Sequence, residues 1–442
     1  QSPALRGAPV PRRIFMMFLA IVLTQTVFAR VAFSGEVFRL GIKDAFKMAI
    51  ESHESLKIAN EALSQSQSTI DKATSAMLPT ITAEGGFTRY DKSESSGSFV
   101  TQPDDSTKIE LKISQSLYSG GKEWSARRQA SLGLLKTRQA YEEARQEVVL
   151  NVARAFYGAL KTEKEMDIKK AALLRAEERK KVADARFRAG VATRSAVLRA
   201  EAEAAGASAA LIKATSAVKD AKNALKRLIG VDADVGLNEP DEEYSVPAEV
   251  EGFIKTALSN RKDFLESQID LDIYSEGVRY AWGGFLPTLK IDGVYSLRSQ
   301  NPETAFFQED SASATLTLSY PIFEGGLRRA ELQEARSKLR EAELKKVQLQ
   351  RDIEVEVRQA FNNVDAFRAA LESYKRQFSF AEEDYKMVFE QFKQGISTTV
   401  DVIDSDSSLI SAQRSFMNAG YDLNLAIIEL KYYSGMLMEG LP

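Results

Sequence analysis

The sequence predicts a mainly α fold with a small β part, in which one helix–strand–strand–helix unit is written twice. Three observations lead there. A segment near residue 190, Phe187-Arg188-Ala189-Gly190-Val191-Ala192-Thr193, returns 205 positions later as Phe392-Lys393-Gln394-Gly395-Ile396-Ser397-Thr398. Its surroundings return with it, Leu78-Pro79-Thr80 as Leu286-Pro287-Thr288 and Tyr118-Ser119-Gly120-Gly121 as Phe323-Glu324-Gly325-Gly326. All 11 prolines lie outside the windows 104–239 and 322–441. An interior proline costs a helix about 3 kcal/mol, so windows of that size suit very long helices.

The N-terminus reads as an export signal. Arg12 and Arg13 precede an apolar run from Ile14 to Ala29, which is short for a membrane span and has the length of a signal core. The small residues Ala32 and Ser34 place the expected cleavage after Ser34. Loss of residues 1–34 removes four arginines and no acids, which takes the formal charge from −3 to −7. A mildly acidic exported body does not fit a nucleic-acid partner. There is no cysteine, so disulfides, thiolate chemistry and an N-terminal lipidated cysteine are excluded.

The first repeat is expected over 35–230. It holds a helical stretch at about 40–76, strands at about 80–90 and 108–118, a helix from 122 to 189, and a second from 193 to 229. Residues 231–250, with Gly236, Pro240, Pro247 and many acids, read as the linker. The second repeat, 251–442, has a helical stretch at 251–284, strands at about 288–297 and 312–320, and helices at 327–394 and 398–434. At 1.5 Å per residue the longest helices would reach roughly 100 Å. In the last of these, Ile353, Val357, Ala360, Val364, Phe367, Leu371, Tyr374, Phe378, Ala381, Tyr385, Val388 and Phe392 step by alternating four and three. That is a heptad seam, the spacing for knobs-into-holes packing.

In the strands the period is two. Ile109, Leu111, Ile113 and Leu117 alternate with Lys108, Glu110, Lys112, Ser114 and Ser116, and Leu289, Ile291, Tyr295 and Leu297 with Thr288, Lys290, Asp292 and Ser296. Ala314, Leu316, Leu318 and Tyr320 repeat the pattern, and Ile81, Ala83 and Phe87 share one face of the first strand. Polar loops, 91–107 and 298–311, join each pair. About ten residues with one apolar face match barrel strands that meet lipid outside and water inside. Four strands cannot close a barrel, and open edges inside lipid leave backbone groups unpaired at several kcal/mol each. Several copies must share one barrel: two would give eight strands and a filled interior, three twelve and an aqueous pore. The competing arrangement is a pair of soluble hairpins packed on a core.

The duplicated plan, the Leu-Pro-Thr strand starts, the Gly-Gly exits and the Phe-x-x-Gly-x-x-Thr turns resemble the TolC-type outer-membrane efflux family over residues 38–435. The resemblance implies a homotrimer with a twelve-stranded barrel in the outer membrane and a twelve-helix tunnel through the periplasm. A periplasmic adaptor and an inner-membrane transporter, of RND, ABC or MFS type, would dock at the far tip. The implied function is a passive channel-tunnel for efflux of small molecules. The alternative within the family is the exit duct of a type I protein secretion system. From another class, a structural or adhesive coiled-coil protein remains.

The same resemblance assigns adaptor contact to the paired turns. Gly190 and Gly395 allow tight reversal, Arg188, Val191, Lys393 and Ile396 offer contact, and Thr193 and Thr398 read as N-caps. Asp401 and Asp404 lie one helical turn apart on one face, whereas the first copy has Ala196 and Arg199 there. In a trimer they would form a ring of six acids, a cation-selective constriction in which mutual repulsion raises pKa values. At two positions where the family's best-known members tie the tunnel shut with a tyrosine and an arginine, this chain has Phe392 and Ser397. No enzyme chemistry and no cofactor are indicated. The single histidine, His53, lies in an amphipathic stretch with no metal-binding partners, and no phosphate-cradling glycine loop is present.

Overall fold

The computed structural model describes residues 38–96, 99–239, 249–303 and 307–439. The expected signal peptide, 1–34, lies outside the described residues, as do Pro240 and Pro247 of the linker. The first copy runs β1 (Phe38–Leu40), α1 (Ile42–Ser52), α2 (Glu54–Ser75), β2 (Thr80–Arg89), β3 (Glu94–Ser96), β4 (Phe99–Gln102), β5 (Asp105–Ser119), α3 (Lys122–Arg188) and α4 (Arg194–Ile229). After β6 (Val235–Leu237), the second runs α5 (Val250–Asn260), α6 (Lys262–Gly283), β7 (Thr288–Asn301), β8 (Asp310–Ser319), α7 (Leu327–Gln394) and α8 (Thr399–Tyr433).

Several elements differ from the sequence reading. Each helical stretch ahead of the strands is two helices, broken at His53 and at Arg261, where the backbone is extended. His53 is therefore not inside an amphipathic helix. It is the N-cap of α2, and its Nδ1 accepts from the Ser55 amide at 3.2 Å. Arg261 holds its break by forking onto Asp263 (2.6 Å) and reaching Glu356 on α7 (2.6 Å). The linker contributes β6, which pairs in parallel with β1 and ties the start of the first copy to its end. The first polar loop contains the β3–β4 hairpin.

The four long strands form one antiparallel sheet in the order β2–β5–β7–β8. Its centre, β5 against β7, joins the two copies. A bulge at Leu117 breaks the alternation and sets Tyr118 opposite Leu289. The outer edges of β2 and β8 have no strand partner among the described residues.

The core divides into three clusters along the helices. Residues 148–160 of α3 are buried on nearly every side, with Val152, Phe156, Tyr157 and Leu160 packed against Ala45, Leu225 and Ile428. Ile353, Val357, Ala360 and Val364 of α7 pack on Phe253, Phe264, Ile427 and Leu430. Near the far ends of α7 and α8, Tyr385, Phe389 and Phe392 close on Val402 and Leu409. Between the last two clusters the seam opens. Tyr374 is exposed and Leu371 and Phe378 are half-buried, so the regular sequence spacing does not give regular burial.

Where α3 meets α6, Lys136 pairs with Asp270 at 2.7 Å. Glu266 lies beside this pair with one carboxylate oxygen buried and unbonded. Burial, and next the charge of Glu143, push its carboxyl up to about 7.

Candidate functional site

The sheet is inside out for a soluble protein. Ile81, Phe87, Ile109, Leu111, Ile113, Tyr295, Leu316 and Leu318 occupy one face by register, and all are exposed, Leu318 at 70% and Phe87 at 66%. The opposite face carries the polar residues and their bonds. Lys112 Nζ reaches Glu84 on β2 (2.8 Å) and Glu110 on its own strand (3.4 Å), and Lys108 reaches Glu110 at 2.6 Å. Ser114 donates to Asp292, which also pairs with Lys290 at 2.9 Å. Contiguous exposed apolar area on this scale marks contact with protein or lipid. Among the described residues no helix is long and apolar enough to cross a membrane.

The two long hairpins, α3–α4 and α7–α8, each reverse at a glycine with left-handed backbone, φ 77° at Gly190 and 83° at Gly395. Thr193 caps α4 by accepting from the Ala196 amide at 3.3 Å. Thr398 caps α8 more fully. Its hydroxyl accepts from the Asp401 amide, while the Asp401 carboxylate accepts from the Thr398 amide (2.7 Å) and hydroxyl (2.7 Å). These bonds, the hydroxyl's first, hold the Asp401 carboxyl below the usual range within one copy. Asp404 lies one turn on, and its backbone carbonyl accepts from the Ser408 hydroxyl at 3.0 Å.

The remaining turn residues point to solvent or pair locally. Val191 and Ile396 are exposed. Arg188 pairs with Asp184 at 2.6 Å, and Lys393 with Glu390 at 2.8 Å while lying over the Phe389 ring. The two turns are linked through Arg186, whose Nη1 donates to the Phe392 carbonyl at 3.2 Å and whose guanidinium lies over the Phe392 ring. Ser397 donates to the Val388 carbonyl at 3.0 Å, so it serves the turn.

Sequence reasoning missed the strongest polar cluster. Arg179 on α3 is 1% exposed and meets all three other long helices. It donates to Glu203 on α4, to Asp406 on α8 (2.8 Å) and to the Tyr385 hydroxyl on α7 (3.3 Å). Arg175 adds a bond to Asp406 at 2.6 Å and lies over the Tyr385 ring. A signal existed in the sequence. Arg179 and Glu203 are equidistant from Val191, and Tyr385 and Asp406 are equidistant from the second turn, so hairpin pairing alone brings each couple level.

Comparison with known proteins agrees with this geometry. The family model described as outer membrane efflux protein matches residues 45–231 and 253–436. Outer membrane protein TolC of Vibrio cholerae is 24% identical over 387 residues, covering 84% of this chain and 85% of that protein. Alkaline protease secretion protein AprF of Pseudomonas aeruginosa is 22% identical over 415 residues, 91% of this chain and 86% of that protein. The crystal structure of the Campylobacter jejuni CmeC outer membrane channel superposes with a TM-score of 0.78 at 19% identity, over 90% of this chain and 86% of that one. The helix–strand–strand–helix unit written twice, with its apolar sheet face turned outward, thus belongs to the outer membrane efflux protein family.

Proposed function

We propose that three copies of this chain close one twelve-stranded barrel in the outer membrane, continued by a twelve-helix tunnel into the periplasm. The observation that carries this reading is the sheet: its apolar face is exposed, its polar face is internally paired, and both edges are open among the described residues. Lipid satisfies the first, a water-filled lumen the second, and neighbouring copies the third. The channel is passive, and the energy for transport comes from an inner-membrane transporter joined through a periplasmic adaptor.

The far ends of the hairpins form the tip of the tunnel. Arg188, Gly190, Val191, Thr193, Lys393, Gly395, Ile396 and Thr398 make the adaptor-contact surface. Asp401 and Asp404 line the constriction, repeated three times about the axis. The Arg179 network stands in for the polar ties that Phe392 and Ser397 cannot make, and holds the α7–α8 hairpin against α3–α4 in the resting state.

Planar-bilayer recording tests the reading: the purified protein should conduct, and divalent cations should block it. Changing both Asp401 and Asp404 to alanine should remove the block, and persistent block would refute their placement. A second reading, the exit duct of a protein secretion system, is favoured by the likeness to AprF over 91% of the chain. Crosslinking in cells and identification of the captured transporter separates drug efflux from protein export.

A further inference from the structure

The polar face of the sheet carries its charges in levels of alternating sign. Register places Lys290 beside Ser116, Asp292 beside Ser114, Lys112 beside Val294, Glu110 between Glu84 and Ser296, and Lys108 beside Arg298. Read along the strands the order is basic, acidic, basic, acidic, basic. Successive levels are two residues apart, about 7 Å of strand, which is within the Debye length of about 8 Å at physiological salt. A solute moving along this face meets each charge together with its opposite.

The arrangement has one weak point. Glu84 and Glu110 are directly opposed on neighbouring strands, a like-charge pair that destabilises a sheet unless something neutralises it. Glu110 is 8% exposed and has two lysines, Lys108 and Lys112. Glu84 is exposed, and among the described residues its ion pair is with Lys112. We propose that Lys112 is a specificity-determining residue: by bridging Glu84 to Glu110 it cancels what would otherwise be a ring of carboxylates in the barrel, and keeps the membrane-spanning part of the conduit indifferent to solute charge. Discrimination by charge is thereby left to the helical tip, and the barrel serves anionic and cationic substrates alike.

This rests on the reading of the sheet as a lumen wall, so the test reports both. Purified wild-type protein and variants are placed in planar bilayers under a potassium chloride gradient, and the reversal potential gives the cation-to-anion permeability ratio. Lys112→Gln should raise that ratio by roughly twofold or more, because each copy then presents an uncompensated Glu84 to the lumen. Lys112→Arg should leave it unchanged, and the double variant Glu84→Gln/Lys112→Gln should return it to the wild-type value. Conducting Lys112→Gln channels with an unaltered ratio overturn the assignment of Lys112 and leave the channel intact. A Lys112→Gln protein that does not assemble is replaced in the comparison by Glu84→Gln, which removes one carboxylate from this level while Lys112 keeps its charge and should lower the ratio; no change there overturns the assignment equally. Wild-type protein that never conducts overturns the channel reading and this inference with it.

Discussion

The two turns that share one sequence signature are not built alike. At the α3–α4 turn Phe187 is 38% exposed, a Cβ on Gly190 would meet nothing within 4 Å, and Thr193 makes a single capping bond. At the α7–α8 turn Phe392 is 1% exposed, a Cβ on Gly395 would meet Arg186 at 3.4 Å, and Thr398 and Asp401 form a reciprocal box. The difference comes from across the copies. Arg186, at the end of the first long helix, donates to the last turn of the second and stacks on its phenylalanine. Duplication supplied two equal turns, and packing of one copy on the other left the first free and fixed the second. In the proposed adaptor surface the first turn would then adapt to its partner, while the second would meet it as a preformed shape.

The largest test of this contrast removes the tie between the hairpins. Arg179→Met leaves Asp406 buried without a full complement of charge, a change worth about 3–5 kcal/mol when one partner of a buried pair is lost. Resting conductance in bilayers should rise, and protease should cut near residue 395 in intact trimers. A resting conductance equal to wild type would remove the network from the gate. Next in size is the comparison of Gly395→Leu with Gly190→Leu. Both force a side chain into left-handed backbone at about 1–2 kcal/mol, but only the first also brings its Cβ against Arg186, at 3.4 Å. Gly395→Leu should abolish export while trimers still form, and Gly190→Leu should only weaken it; unimpaired export by the first would contradict the account.

A smaller effect separates the caps. Thr398→Ala loses the box and should cost about 1 kcal/mol, more than Thr193→Ala, which loses one bond. Thermal melting of the two variants gives the ranking, and equal losses would make the turns equivalent after all. The smallest effect lies away from the turns, at the α3–α6 contact. Glu266 has its carboxyl raised from 4.5 to about 7, so between those values the folded protein binds more protons than the unfolded chain. Stability contributed by the protonated group is present below about pH 4.5 and is lost as pH rises through about 7. Because the group is partly solvated the change in melting temperature is modest, and Glu266→Gln should abolish it. A melting temperature that increases over this window through Glu266 would reverse the assignment.

The long elements were legible because their signals are repetitive. Proline-free windows announce α3 and α7, heptad spacing adds to the signal in α7, and strict alternation announces the strands. What was illegible depends on single residues in three dimensions. The breaks at His53 and Arg261 carry no proline or glycine, and are fixed by a cap and by an ion pair to a distant helix. The opening of the seam around Tyr374 does not follow from spacing, because burial needs a partner helix as well as an apolar stripe. The Arg179 network is hidden in the sequence because an arginine in a charge-rich helix looks solvated until the hairpins are folded. The part Asp401 plays in the box with Thr398 is likewise set by a direct contact three residues away, which spacing on one helix face does not announce.

The internal repeat also fixes how neighbouring copies should meet. β8 corresponds to β5 and β2 to β7, so the observed pairing of Glu110 with Ser296 predicts Thr315 of one copy opposite Thr88 of the next. With no native cysteine to interfere, Thr88→Cys/Thr315→Cys protein can be oxidised in outer membranes and run without reductant. Covalent ladders ending at three chains are predicted, with none from Thr88→Cys/Leu316→Cys, whose side chains face opposite sides of the sheet. Ladders that stop at two chains, or no crosslink in protein that has reached the membrane, would contradict a barrel shared by three.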